Sequence, residues 1–264
     1  MSPEGCVGGC FYEKINTCFR IEDMMKKIIG LIYILLLVFQ VVLSGCSTPN
    51  FDGTISDVEI NQLEKPETGD TVVWITVKDY GVIKLHFFPE AAPKAVENFV
   101  THAENGYYDG LTFHRVMEDF MIQGGDPEGN GTGGESIWGE DFELELSPYL
   151  LPMYGSLCMA RLSYPVDSNG SQFFIVQQKD TCDKETMMQY VNYYGLMEDI
   201  NKEAVEIYNQ VGGSYALAGG YTVFGQVYEG MDVVEAIAQT NTNSDDKPLE
   251  DVIIEKMEVK KYGE

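Results

Sequence analysis

The chain of 264 residues carries 42 acidic against 17 basic side chains, a formal net charge of −25 at pH 7. Residues 1–45 hold four of each sign, so the whole excess falls on the remainder, which nucleic-acid phosphate and anionic lipid headgroups should repel. Roughly 190 residues read as globular, enough for one well-filled core with appendages.

In chain order, the first signal is Met24-Met25-Lys26-Lys27 followed by IIGLIYILLLVFQVVLSGC, a short basic stretch, a long apolar run and a small-residue exit. Residues 24–45 read as a lipoprotein signal peptide. Leu43-Ser44-Gly45-Cys46 resembles the bacterial lipobox, which implies lipidation of Cys46. An uncleaved transmembrane anchor is the alternative, because the apolar run is only slightly short of a membrane span. Such a signal normally opens a chain, so residues 1–23 are expected to be a non-native upstream extension. Residues 46–70 are polar and acidic without periodicity and read as the lipidated Cys and a flexible linker.

The globular domain is expected over 71–262. TVVWITVKD and GVIKLHFF alternate about a Tyr80-Gly81 turn and predict a β-hairpin. APKAVENFVTHAENG switches to helical spacing, with Pro93 in the first turn and Gly106 as a stop. Short strands follow near 113–116, 121–124, 156–161, 172–177 and 222–228, then a helix near 231–239 and a last strand near 252–260. Between Thr181 and Gly220 the apolar positions Met187, Tyr190, Tyr194, Met197, Ile200, Ala204, Ile207 and Val211 fall near helical spacing. They predict one or two helices broken at Gly195. This insertion is read either as a lid packed on the domain wall or as a client-docking surface, whose deletion would change client choice but not turnover of a short peptide.

No cysteine pair has metal-ligand spacing accompanied by histidines, and His86, His102 and His114 are dispersed, so no metal site and no cofactor are expected. GNGTGG (129–134) fits a dinucleotide-loop pattern but follows a loop and opens no helix. The most informative stretch is FHRVMEDFMIQGGDP (113–127), which sets Arg115 among Phe113, Val116, Phe120, Met121 and Ile122, a wall expected to be largely dry. A guanidinium can polarise an amide but cannot take a proton from it, so the chemistry it supports is electrostatic stabilisation rather than acid/base hydrolysis.

With GNGTGGESIWGEDF (129–142), GSLCMAR (155–161), NGSQFFIV (169–176) and YTVFGQVYEGMDVVEAI (221–237), this stretch resembles the cyclophilin-type peptidyl-prolyl isomerases from about Thr71 to Lys260. The resemblance implies a mainly β fold, a closed eight-stranded antiparallel barrel with two capping helices, here with an extra helical insertion at 181–220. It implies prolyl cis-trans isomerisation with Arg115 and Gln123 as the catalytic pair. Phe120, Met121 and Phe174 would form the proline pocket and Gln172 a second polar contact. Ala160 and Arg161 would lie along the groove with main-chain hydrogen bonds to offer. Gly131 lies in a loop that borders the groove, and Tyr221 would supply an aromatic wall.

Three positions depart from the commonest eukaryotic pattern. Arg161 stands in place of Asn, Tyr221 in place of a ring-packing His, and the tryptophan after the SQFF motif has no counterpart, which implies weakened binding of cyclosporin-type inhibitors. The expected partners are proline-containing unfolded or partly folded secreted proteins met by a monomer. It would sit on the extracytoplasmic face of a bacterial membrane, with lipid as its only membrane contact and no nucleic acid. A non-catalytic client-binding chaperone or scaffold is the alternative reading of the same groove and insertion.

Overall fold

The computed structural model describes residues 53–264; the upstream extension, the signal segment and Cys46 lie outside the described residues. The strands are β1 (Thr54–Ile55), β2 (Thr71–Val77), β3 (Gly81–Phe87), β4 (Arg115–Met117), β5 (Met121–Gly124), β6 (Glu145–Leu146), β7 (Ser156–Met159), β8 (Phe173–Val176), β9 (Val223–Glu229) and β10 (Ile254–Lys261). The helices are α1 (Pro93–Glu104), α2 (Lys184–Tyr194), α3 (Lys202–Val211) and α4 (Met231–Ala238), with a 3₁₀ turn at Tyr215–Leu217.

Eight strands form one curled antiparallel sheet in the order β10-β2-β3-β9-β7-β8-β5-β4. Alternation places Val73, Ile75, Ile83 and Leu85 on its concave side, where they meet Phe99 of α1 and Val234 and Ile237 of α4. These are the two capping helices. Pro93 opens α1 without a side-chain cap of its own. The buried carboxylate of Glu145 takes that role from β6, accepting from the N–H groups of Lys94 (3.0 Å) and Ala95 (2.8 Å).

The eight expected antiparallel strands are present as a curled sheet, without a continuous ladder that closes it among the described residues. Its edge strands β4 and β10 are not paired; the link between them is a single bridge, Thr112 to Ile253, with Phe113 N–H donating to Val252 O (2.9 Å) and Ile254 N–H to Leu111 O (2.8 Å). β4 is only three residues long, and its free edge is taken by the loop before β10, Val116 N–H donating to Asp246 O (2.8 Å). A ladder cannot continue where a loop already holds the donor.

The stretch 53–70 is not free coil. β1 runs parallel to β6, and Gln62 is completely buried, its side chain donating to Leu151 O (2.8 Å) and Ser156 Oγ (2.7 Å) and accepting from Leu151 N–H (2.9 Å). Its polar composition predicts a linker, whereas a short strand, the packed side chains of Ile60 and Leu63 and one buried amide with matched partners hold this strap.

The 181–220 insertion folds as α2 and α3. Asp183 caps α2 through Thr186 N–H (2.7 Å), Gly195 closes it in the left-handed conformation that favours glycine, and Asn201 caps α3. Met187, Val191, Ile200 and Tyr208 build a second apolar cluster with Leu144, Leu151 and Met153. A third cluster, which includes Met121, Cys158, Phe174 and Val223, lies on the sheet face opposite the main core. The candidate site sits on this third cluster.

Candidate active site

Strand register assembles the site. Arg115 pairs directly with Gln123 across β4 and β5, and Gln123 pairs with Phe174 across β5 and β8. Residues opposite one another in an antiparallel ladder project to the same face, so the three side chains form one row. The alternating neighbours Val116 and Ile122 go to the main core instead. The wall around Arg115 is therefore dry on one side only.

A cavity of about 180 Å³ lies over this row, lined by Arg115, Phe120, Met121, Gln123, Ala160, Arg161, Phe174 and Tyr221, with Leu217 from the 3₁₀ turn. Phe174 and Tyr221 meet edge to face, ring centroids 5.6 Å apart. Met121 and Phe174 are almost fully buried while Arg115 keeps about 40% of its side chain exposed, so the cavity has an apolar floor and a cationic, wetted rim. Arg115 Nε faces Asp246 Oδ2 at 3.5 Å, and Nη2 lies 3.1 Å from Met117 Sδ.

Gln172 and Gly131 line a neighbouring recess of about 380 Å³ rather than the apolar cavity; Gln123, Ala160 and Arg161 form the wall between the two. Gln123 Nε2 donates to Gln172 Oε1 (2.9 Å), and Gln172 Nε2 donates to the carbonyls of Gly131 (3.2 Å) and Gly133 (2.8 Å). Gln172 thus braces Gln123 from the glycine-rich loop. The loop is itself folded around Asp126, whose carboxylate accepts from the N–H groups of Glu128, Asn130 and Gly131. Burial alone would raise that carboxyl, but the backbone donors outweigh it and hold it below the usual range.

Ala160 does not have a main-chain donor to spare. Its N–H is given to Gln172 O (2.9 Å), while the residue itself lines the cavity. Neither tryptophan reaches the cavity: Trp74 in β2 donates to Tyr228 Oη (3.2 Å), and Trp138 packs on Phe142. Three residues at the site carry no sequence signal for it. Asp246 sits in a polar loop, Leu217 in an aperiodic stretch, and Tyr194 reads only as part of a helix face, yet its ring meets Tyr221 (6.0 Å).

An apolar slot for a small ring, bordered by a guanidinium and a braced amide and without an aligned nucleophile, suits a conformational reaction of a peptide rather than its cleavage. The family described as cyclophilin type peptidyl-prolyl cis-trans isomerase/CLD matches residues 72–259. Proteins of Staphylococcus saprophyticus and Staphylococcus aureus strain COL named as peptidyl-prolyl cis-trans isomerases are each 46% identical over 198 residues, which is 75% of this chain and 96% of theirs. A crystal structure of a Cryptosporidium parvum cyclophilin type peptidyl-prolyl cis-trans isomerase, determined in the presence of the dipeptide Ala-Pro, is 30% identical with a TM-score of 0.55, covering 72% of this chain and 98% of that one. The chain belongs to the cyclophilin-type peptidyl-prolyl cis-trans isomerases.

Proposed function

We propose that this isomerase is a lipid-anchored folding catalyst of the extracytoplasmic face, and that Arg115 drives rotation of the Xaa-Pro bonds of its clients. The barrier to that rotation, roughly 18 to 20 kcal/mol, comes from delocalisation of the nitrogen lone pair into the carbonyl. A donor aimed at the proline carbonyl and nitrogen stabilises the twisted, deconjugated amide more than either planar form, and each ~1.4 kcal/mol of that difference is a tenfold gain in rate. Phe120, Met121 and Phe174 would hold the pyrrolidine ring, and Gln123, braced by Gln172, would hold the backbone beside the rotating bond. The observation that carries this reading is the Arg115–Gln123–Phe174 row across three adjacent strands.

The test is cis/trans exchange of a short Xaa-Pro peptide, followed by NMR with the purified chain from residue 47. Wild type should accelerate exchange, and Arg115→Ala should lose most of that acceleration, roughly tenfold or more. A folded Arg115→Ala variant with unchanged rates would remove Arg115 from the mechanism. Cyclosporin-type inhibition should be weak, since the cavity has no indole wall; tight inhibition in the same assay would contradict that.

The location rests on the sequence from Met24 to Cys46. Expressed in a bacterium, the wild-type chain should partition into detergent and carry a lipid on Cys46 by mass spectrometry, while Cys46→Ala should stay in the aqueous phase. Identical partitioning of the two would refute the anchor. A net charge of −25 held beside an anionic membrane would keep the domain off the lipid and the groove open to clients.

A further inference from the structure

The insertion reaches the groove through one side chain. Tyr194, the last residue of α2, lies edge to face with Tyr221 at 6.0 Å, and Tyr221 is itself edge to face with Phe174 on the cavity floor. The Arg161 guanidinium carbon lies 4.6 Å from the Tyr221 ring centroid and 5.8 Å from that of Tyr194. Tyr194 is anchored at its far end, its hydroxyl donating to Ala216 O (3.2 Å). Its ring also occupies the space above Gly220, where an added Cβ would come within 2.5 Å of the ring carbons. Backbone and ring fit there only because residue 220 has no side chain.

Arg161 is held in that aromatic corner by two main-chain acceptors, Nε donating to Gly220 O (2.7 Å) and Nη1 to Leu162 O (2.7 Å). Carbonyls fix its direction but do not neutralise it. Among the described residues Arg161 has no carboxylate partner, whereas Arg115 faces Asp246. Asp141, which lines the neighbouring recess with Arg161, forms no ion pair with it. In a chain of net charge −25, the wall between the two cavities therefore presents a cation of fixed orientation that no carboxylate among the described residues pairs with.

We propose that Tyr194 positions Arg161 and Tyr221 at the rim of the proline cavity, and that the cation so held selects clients with a carboxylate side chain next to the proline. This rests on the groove reading above, but it concerns affinity and selectivity rather than the chemical step. Removing the insertion's contact then alters handling of even a short peptide, in contrast to a docking surface that acts on whole clients only. A fixed cation and a client carboxylate in a half-exposed groove are worth up to about 1 kcal/mol, so the selectivity is about fivefold.

The experiment compares two short peptides identical except for Glu or Lys beside the proline, measuring Kd by NMR titration and kcat and KM by exchange. Wild type should bind the Glu peptide about fivefold more tightly than the Lys peptide. Tyr194→Ala should erase that ratio and raise KM with kcat little changed, Tyr194→Phe, which keeps the ring and loses only the bond to Ala216 O, should retain most of it, and Arg161→Gln should abolish it. Gly220→Ala, which pushes a methyl into the Tyr194 ring from the other side, should reproduce Tyr194→Ala and serves if that variant does not fold. Equal wild-type affinities for the two peptides overturn the charge selection. Preserved selectivity in folded Tyr194→Ala or Gly220→Ala overturns the positioning role. Because Kd is read apart from turnover, a wild type that binds but does not isomerise counts against the catalytic reading alone.

Discussion

Arg115 is neither buried nor free: a row of strand partners sets its position, and Asp246 faces it from the loop that covers the edge of β4. Geometry of that kind distinguishes a fork from a point charge. Arg115→Lys keeps the charge and much of the stem but loses the planar donors, so turnover should fall by roughly tenfold or more while peptide affinity changes little. Separate measurement of kcat and KM by NMR exchange decides this; a lysine variant with near-wild-type kcat would mean that charge alone suffices. How legible each residue was follows from the distance over which it is specified. Arg115, Gln123 and Phe174 stand in compact motifs, and those motifs carry them. The partners that orient the site come from elsewhere, since Asp246 and Tyr194 are 131 and 79 positions along the chain from Arg115, and only the fold brings them in.

At the scale of elements, alternation and helical spacing were enough to read β2, β3, α1 and the two-helix insertion, because each has a local period and local stop signals. β1, β6 and the unpaired edges of the sheet had no such signal: two-residue strands have no period, and whether β4 meets β10 depends on what a loop does to a donor. The strap at 53–70 is the clearest case, since its composition is that of a linker and its attachments are a two-residue strand, a few backbone bonds and one buried glutamine. Gln62 joins the segment before β7 to Ser156 in β7, with Gln226 of β9 3.2 Å away. Gln62→Ala would leave the buried Leu151 N–H without its acceptor and should cost about 1 to 3 kcal/mol. Urea unfolding at equilibrium measures it. A loss below a few tenths would show that water replaces the amide and that the strap is held by its other contacts.

For the whole molecule, the buried histidines and the surface charge pull stability in opposite directions as pH falls. Burial lowers His86 to about 4, with the Asp70 charge only partly offsetting it, and burial also leaves His102 and His114 below the ordinary value. A histidine in the unfolded chain takes its proton near 6.5. Between that value and the lower folded one the unfolded state holds more protons, so the contribution is complete above about pH 6.5 and is lost as pH falls towards 4. Asp126, held low by backbone donors, adds a loss of the same sign further down. Glu145, raised by burial, acts the other way, as does protonation of the surface carboxylates, which relieves the self-repulsion of a −25 chain. Salt separates the two groups, because it screens exposed charges and leaves buried ones nearly untouched. In high salt, unfolding free energy should therefore fall from pH 7 to pH 4.5, and His86→Phe should remove about 2 to 3 kcal/mol of that fall by taking out a buried ring nitrogen that has no partner. An unchanged slope in His86→Phe would mean that His86 is protonated in the folded chain at pH 4.5, and that the ring has access to water or to the Asp70 charge.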